Sequence, residues 1–268
     1  MEVKDKVVVV TGAGSGIGRA LAQGFAARGA EHVVCTDLNP ENASATAQMI
    51  GSSATGLALD VADEAAIESL VQDTEQLHGR IDIFVSNAGY GQRGGLDLPT
   101  EDWMRMMNVH MWSHLAAARA VIPGMVARGG GYLFSTASAA GLLTQMDSGP
   151  YAVSKHAAVA FAEWVSINYA DQGIGVSVLC PQAVRTNILG PTPKSGKRNS
   201  GQASADGVLE PEVVADACIQ AIYDETFLVL PHPEVATYFQ RKASDYDRWL
   251  SGMRRFKQKL TEQLRNNS

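Results

Sequence analysis

Cysteine is scarce. There are three, Cys35, Cys180 and Cys218, an odd count with no C-x-x-C spacing among 268 residues. That argues against both a disulfide framework and a zinc knuckle. Long apolar runs are also missing: no stretch approaches the ~20 apolar residues of a membrane span. The start, MEVKDKVVVVTGAG, holds only a four-residue apolar run, too short for a secretory signal. Basic residues fall short of acidic ones, 22 against 28, for a net charge of -6. A general nucleic-acid binder would normally be basic. The expectation is a cytoplasmic protein with neither nucleic-acid nor membrane partners. Internal repeats and a linker between two cores are absent too, so residues 1–268 are read as one domain. The 46% hydrophobic and 19% charged content is that of an ordinary globular chain.

Short β-branched runs alternate with longer helical patterns. Val7–Thr11, His32–Asp37, Gly56–Asp60, Ile83–Ser86, Tyr132–Ser138, Gly175–Cys180 and Phe227–Leu230 read as strands. They are apolar at nearly every position, as parallel strands covered on both faces require. Helices are predicted near 16–28, 40–50, 63–78, 101–128, 150–172 and 211–222. Regular alternation of this kind implies right-handed crossovers and an α/β, doubly wound parallel sheet.

Two segments break the pattern. Residues 187–207 are rich in Gly, Pro and Ser and follow a strand's carboxyl end. Such a loop is either a surface insertion or a lid over a site; the lid reading is preferred, as a substrate loop. Residues 241–268 carry 8 basic and 3 acidic side chains, against 14 and 25 in the rest of the chain. Tyr246, Leu250, Met253, Phe256, Leu260 and Leu264 fall at helical spacing, which predicts an amphipathic helical tail.

The first strand runs into Thr11-Gly12-Ala13-Gly14-Ser15-Gly16-Ile17-Gly18 and then a helix. Glycines let the backbone turn tightly and approach a pyrophosphate, and the helix N-terminus offers free N–H groups. Asp37 closes the second strand, 19 residues past Gly18. A carboxylate there can accept from adenosine ribose hydroxyls and would repel a 2′-phosphate. No basic residue stands at Gly14, Ser15 or Leu38; Arg19 is the nearest. The reading is NAD rather than NADP. Asp37 could instead cap the helix beginning at Pro40, a job open to Asn39 as well.

Tyr151 and Lys155 lie four apart at the start of a predicted helix and so share a face. Ser138 stands 13 residues before Tyr151 at a strand end, Asn87-Ala88-Gly89 closes another strand, and Asn108 lies on the helix that follows. With these motifs, and with Asp60-Val61, the chain resembles the short-chain dehydrogenase/reductase family from about residue 4 to about residue 230.

The resemblance implies a seven-stranded, Rossmann-type parallel sheet, a nicotinamide cofactor and a catalytic set of Asn108, Ser138, Tyr151 and Lys155. Tyr151 would be the acid/base. A free phenol has a pKa of ~10, so Lys155 and the positive nicotinamide must lower it. Ser138 would hold the substrate oxygen, and Asn108 would distort its helix and hold a water leading from Lys155. Gly12, Ser15, Gly16, Ile17 and Gly18 would cradle the phosphates. Asp60 and Val61 would meet the adenine, although Asp60 could be a turn residue before a helix. Asn87, Ala88 and Gly89 would floor the site, with Pro181, Val184 and Thr186 near the nicotinamide. Gln182 departs from the Pro-Gly usual there.

The activity implied is NAD-dependent interconversion of a secondary alcohol and a ketone. The alternatives are an NADPH-dependent ketone reductase and a non-catalytic dinucleotide-binding regulator. Tyr90, Gly91, Gln92, Ala139, Ala140, Leu143, Met146 and Gln182 are expected around the substrate, which their small or apolar character suggests is fairly hydrophobic. His110 and His114 are four apart but lack a third ligand, so no metal is expected and a helix-face or interface role is assigned. Apolar excess on helices 101–128 and 150–172 predicts subunit assembly, and the resemblance implies a homodimer or homotetramer.

Overall fold

The computed structural model describes residues 1–186, 202–204 and 206–266, with side chains through residue 262. Seven parallel strands form one sheet: β1 (Val7–Thr11), β2 (His32–Asp37), β3 (Ala54–Ala58), β4 (Ile83–Ser86), β5 (Gly131–Thr136), β6 (Ile174–Leu179) and β7 (Leu228–Val229). Their order is β3-β2-β1-β4-β5-β6-β7. The chain winds outward in one direction from β1 and in the other from β4. The crevice beyond the ends of these two strands is therefore the topological switch point, where doubly wound sheets place ligands.

The central strands are largely apolar because each face of the sheet has its own core. On one face Val9, Phe84, Leu133 and Val176 meet α3 (Glu64–His78), α5 (Ser113–Ala127) and α7 (Gly149–Tyr169). On the other, Val8, Val10, Ile83 and Phe134 meet α1 (Gly16–Ala27) and α8 (Pro211–Asp224). Strand β3 lies at the sheet edge and is half-exposed, so it carries no strong apolar signal. That is why it begins two residues earlier than its composition suggests. Helix α2 (Pro40–Ile50) is capped by Asn39, whose Oδ1 accepts from the N–H groups of Glu41 and Asn42 at 2.8 and 3.2 Å.

The predicted helix 101–128 is three pieces: α4 (Thr100–Met107), a π-turn over Asn108–Trp112, and α5. Ser113 N–H reaches back five residues to the Asn108 carbonyl, the wide bond that defines this turn. The tail is also divided. Helix α9 (Glu234–Ser244) ends at Asp245, whose extended backbone breaks the path before α10 (Tyr246–Asn266). A short helix unseen in the sequence, α6 (Ala140–Leu143), follows β5. Most of the expected substrate loop, 187–201 and 205, lies outside the described residues, as does 267–268. No described helix is long and apolar enough to cross a membrane.

Candidate active site

The turn after β1 is shaped by close approaches. Gly12 has φ +64°, and a Cβ there would stand 2.8 Å from the Ala88 Cα. Gly16 has φ +51°, and its Cβ would meet the Thr186 methyl at 2.8 Å. A side chain at Gly18 would strike the Gly12 carbonyl. Two other segments, those of Ala88 and Thr186, thus converge on this loop, and α1 starts from it. Ser15 precedes α1 in extended conformation and makes no side-chain cap. The first N–H groups of α1, around Gly16, Ile17 and Gly18, have no partner within the helix.

Strand ends supply the remaining walls. The Asn87 Nδ2 donates to the Thr11 carbonyl at 3.0 Å, and its Oδ1 accepts from the Thr136 hydroxyl at 3.1 Å. The Thr11 hydroxyl in turn accepts from the N–H groups of Asn87 and Ala88. Asp37 turns its carboxylate onto the glycine loop. Oδ2 accepts from Gly14 N–H and Oδ1 from Asn39 N–H, both at 3.0 Å. Leu59 N–H bonds the Asp37 carbonyl, which brings exposed Asp60 and buried Val61 to the same rim. Asp60 also accepts from Ala62 N–H, while Asp63 caps α3.

Ser138, Tyr151 and Lys155 come together at the end of β5. Ser138 and Tyr151 hydrogen-bond through their side chains. Lys155 is 3% exposed; its Nζ donates to the Thr136 carbonyl at 2.8 Å and lies 5.8 Å from the Tyr151 ring centroid. Burial pulls the Lys155 ammonium down to about 8. Burial pushes the Tyr151 phenol above its ordinary value, and the bond with Ser138 opposes that shift. The field expected from Lys155 thus does not overcome burial in the protein alone. Pro181 accepts from Ala139 N–H at 2.9 Å, and Val184 pairs with Leu209.

The short chain dehydrogenase family model matches residues 6–196. The chain belongs to the short-chain dehydrogenase family. A probable oxidoreductase EphD of Mycobacterium tuberculosis is 33% identical over 81% of this chain, which spans 39% of that longer protein. The CLA biosynthesis dehydrogenase/reductase of Lactiplantibacillus plantarum is 30% identical over 87% of this chain and 90% of its own length. Among solved structures, a short chain dehydrogenase/reductase from Burkholderia phymatum in complex with NAD superposes with a TM-score of 0.83. It is 28% identical, with 92% of this chain and 96% of that one covered.

Several features of the site have no counterpart among the sequence motifs. His110 is fully buried beside Tyr151, not on a helix face or at an interface. Its partner His114 is 3% exposed, and neither of its ring nitrogens has a hydrogen-bond partner among the described residues. The apolar surroundings of this i, i+4 pair were the available signal. Ala139, Ala140 and Leu143, expected around substrate, are buried; Ala139 and Leu143 belong to the core. Gln182 donates to Asp206 at 2.7 Å, and Asp206 also accepts from the Tyr238 hydroxyl at 3.0 Å. Buried Lys242 donates to the Leu142 carbonyl at 2.6 Å. Thus α9 is tied to the segment following Ser138. No spacing in the sequence announces these long-range bonds.

Proposed function

We propose that this oxidoreductase interconverts a secondary alcohol and a ketone with NAD as its cofactor. The observation that carries the cofactor choice is Asp37, held by Gly14 and Asn39 at the end of β2. Each oxygen of a carboxylate retains a second acceptor site for a ribose hydroxyl. The same charge opposes a 2′-phosphate. Arg19 directs two of its guanidinium N–H groups to the Gly14 carbonyl and the Thr46 hydroxyl. The glycine cradle also fits a dinucleotide, since it lies at the switch point with helix N–H groups facing outward. When bound, NAD supplies the hydride acceptor.

The chain's own residues handle the proton. Ser138 orients the substrate oxygen, and Tyr151 takes the hydroxyl proton in oxidation or returns it in reduction. Lys155 stabilises the phenolate and holds the ribose. The π-turn at Asn108 frees backbone groups from the helical ladder beside this cluster, suiting it to hold a water on the way to solvent. A fairly hydrophobic alcohol or ketone is the substrate class. Exposed Trp112, Val153, Trp164 and Ile167 fit assembly into a homodimer or homotetramer.

The test combines calorimetric titration with NAD and NADP and a screen of secondary alcohols followed by NADH absorbance. Tighter NAD binding and NADH formation are expected. Tighter NADP binding, or no turnover of any alcohol or of the corresponding ketones with NADH, would overturn the reading.

A further inference from the structure

His110 stands where the loop leaving β4 meets the helix that carries Tyr151 and Lys155. Its Nε2 lies 3.1 Å from the Tyr90 N–H, and its Nδ1 lies 2.9 Å from the Ser154 hydroxyl. A backbone N–H can only donate, so Nε2 is an acceptor. A neutral ring then carries its proton on Nδ1 and donates it to Ser154. The Ser154 hydroxyl passes the sequence on, donating to the Tyr151 carbonyl at 3.1 Å. The hydrogen-bonded path therefore runs from the backbone of Tyr90 to the backbone of Tyr151 in one direction.

The ring is enclosed as well as bonded. It packs edge-on against the Tyr151 ring, with centroids 5.5 Å apart and planes at 89°, and the Tyr90 ring lies 5.6 Å away. A Cβ at Gly89 would stand 3.2 Å from Nε2 and 3.6 Å from Lys155 Nζ. Gly89 thus leaves the space that lets His110 and Lys155 share this corner. The ionisable groups bearing on the ring are Lys155 and Tyr151 from α7, Tyr90 from the loop and His114 from its own helix. Burial first, and Lys155 and His114 next, hold the imidazole well below its ordinary pKa. Protonation at Nε2 would set a donor against the Tyr90 N–H.

We propose that His110 is a positioning residue: its neutral, Nδ1-protonated imidazole ties the exit of β4 to α7 and sets the plane of the Tyr151 ring against Ser138. The proposal rests on the acid/base reading of Tyr151, but the test does not need turnover. Protein labelled with 13Cζ-tyrosine is titrated from about pH 7 to about pH 12, free and with NAD, and Tyr151 is assigned by its loss in Tyr151→Phe. His110→Phe keeps a ring and removes both bonds. Its Tyr151 pKa is expected to rise by roughly one unit as the Ser138 bond loosens, and His110→Gln, with one acceptor and one donor, is expected to restore it.

An unchanged Tyr151 titration in His110→Phe, in both states, would overturn the proposal. If that variant does not fold, Ser154→Ala breaks the same bridge from the other end, and the same criterion applies. Nitrogen NMR of the wild-type imidazole gives a second readout. The Nδ1–H tautomer without titration near ~6.5 is expected, and the Nε2–H tautomer would refute the bridge. Should Tyr151→Phe turn over normally, the acid/base reading falls while the titration still decides the role of His110.

Discussion

His114 should make the protein acid-sensitive by an amount that can be worked out. The ring is 3% exposed, with both nitrogens unpartnered among the described residues, and burial with the Lys155 charge pulls its pKa from 6.5 to about 3. The native state therefore holds His114 neutral, while the unfolded chain protonates it below its ordinary value. The resulting stability is fully present above about pH 6.5 and is lost as pH falls toward about 3. Across the whole window, 3.5 units at ~1.36 kcal/mol each give about 5 kcal/mol. Between about pH 7 and about pH 5, where unfolding can be measured reversibly, the linked loss is roughly 2 kcal/mol.

His114→Leu removes the titration and the desolvated nitrogens. Urea unfolding of wild type and variant at the two pH values, at one protein concentration, gives the double difference directly. Wild type should lose about 2 kcal/mol more than His114→Leu on going from pH 7 to pH 5. His110 contributes in both proteins and largely cancels, because burial and Lys155, the two larger causes of its lowered pKa, remain when His114 is replaced. An equal acid loss in the two proteins would refute the reasoning, because His114 would then have to be protonated, or hydrated, in the native state.

Other expectations follow from single contacts. Asp37→Ala should weaken NAD and relieve the discrimination against NADP, measured by calorimetry; an unchanged ratio of affinities would contradict the role given to that carboxylate. Lys242→Met should loosen α6 through loss of the buried bond to the Leu142 carbonyl, costing roughly 1–3 kcal/mol in denaturant unfolding because a buried acceptor is left unpaired; no change would mean water replaces the ammonium. Sedimentation should show a dimer or tetramer, and substitution of exposed Trp164 and Ile167 by charged residues should dissociate it. A wild-type monomer at all concentrations would exclude that assembly.

Much of the architecture is local enough to be legible in the sequence. Val7–Val10 is apolar throughout because both faces of β1 are covered, and the turn after it needs glycine for its positive φ and close approaches at Gly12 and Gly16. Ambiguity arose where two residues could do one job: Asp37 and Asn39 were both possible caps for α2, and Asn39 does it while Asp37 faces Gly14. Boundaries slipped where burial is partial, as at edge strand β3. Periodicity over 101–128 hardly registers one wide turn, yet that turn sets apart Asn108 and carries His110. The role of His110 is not legible locally, because its partners Tyr90 and Ser154 are 20 and 44 residues away in sequence. The Asp245 break between α9 and α10 is a single extended residue inside an unbroken amphipathic pattern.

The central claim, proton transfer by Tyr151 coupled to hydride transfer with NAD, is tested most directly by Tyr151→Phe. The substitution removes one oxygen and leaves the ring that packs against His110. NADH formation from the best alcohol in the screen is measured for both proteins, with NAD affinity measured by calorimetry. The account predicts a rate lower by ~10²–10⁴ with NAD affinity nearly unchanged. A variant that oxidises the alcohol at close to the wild-type rate would contradict it.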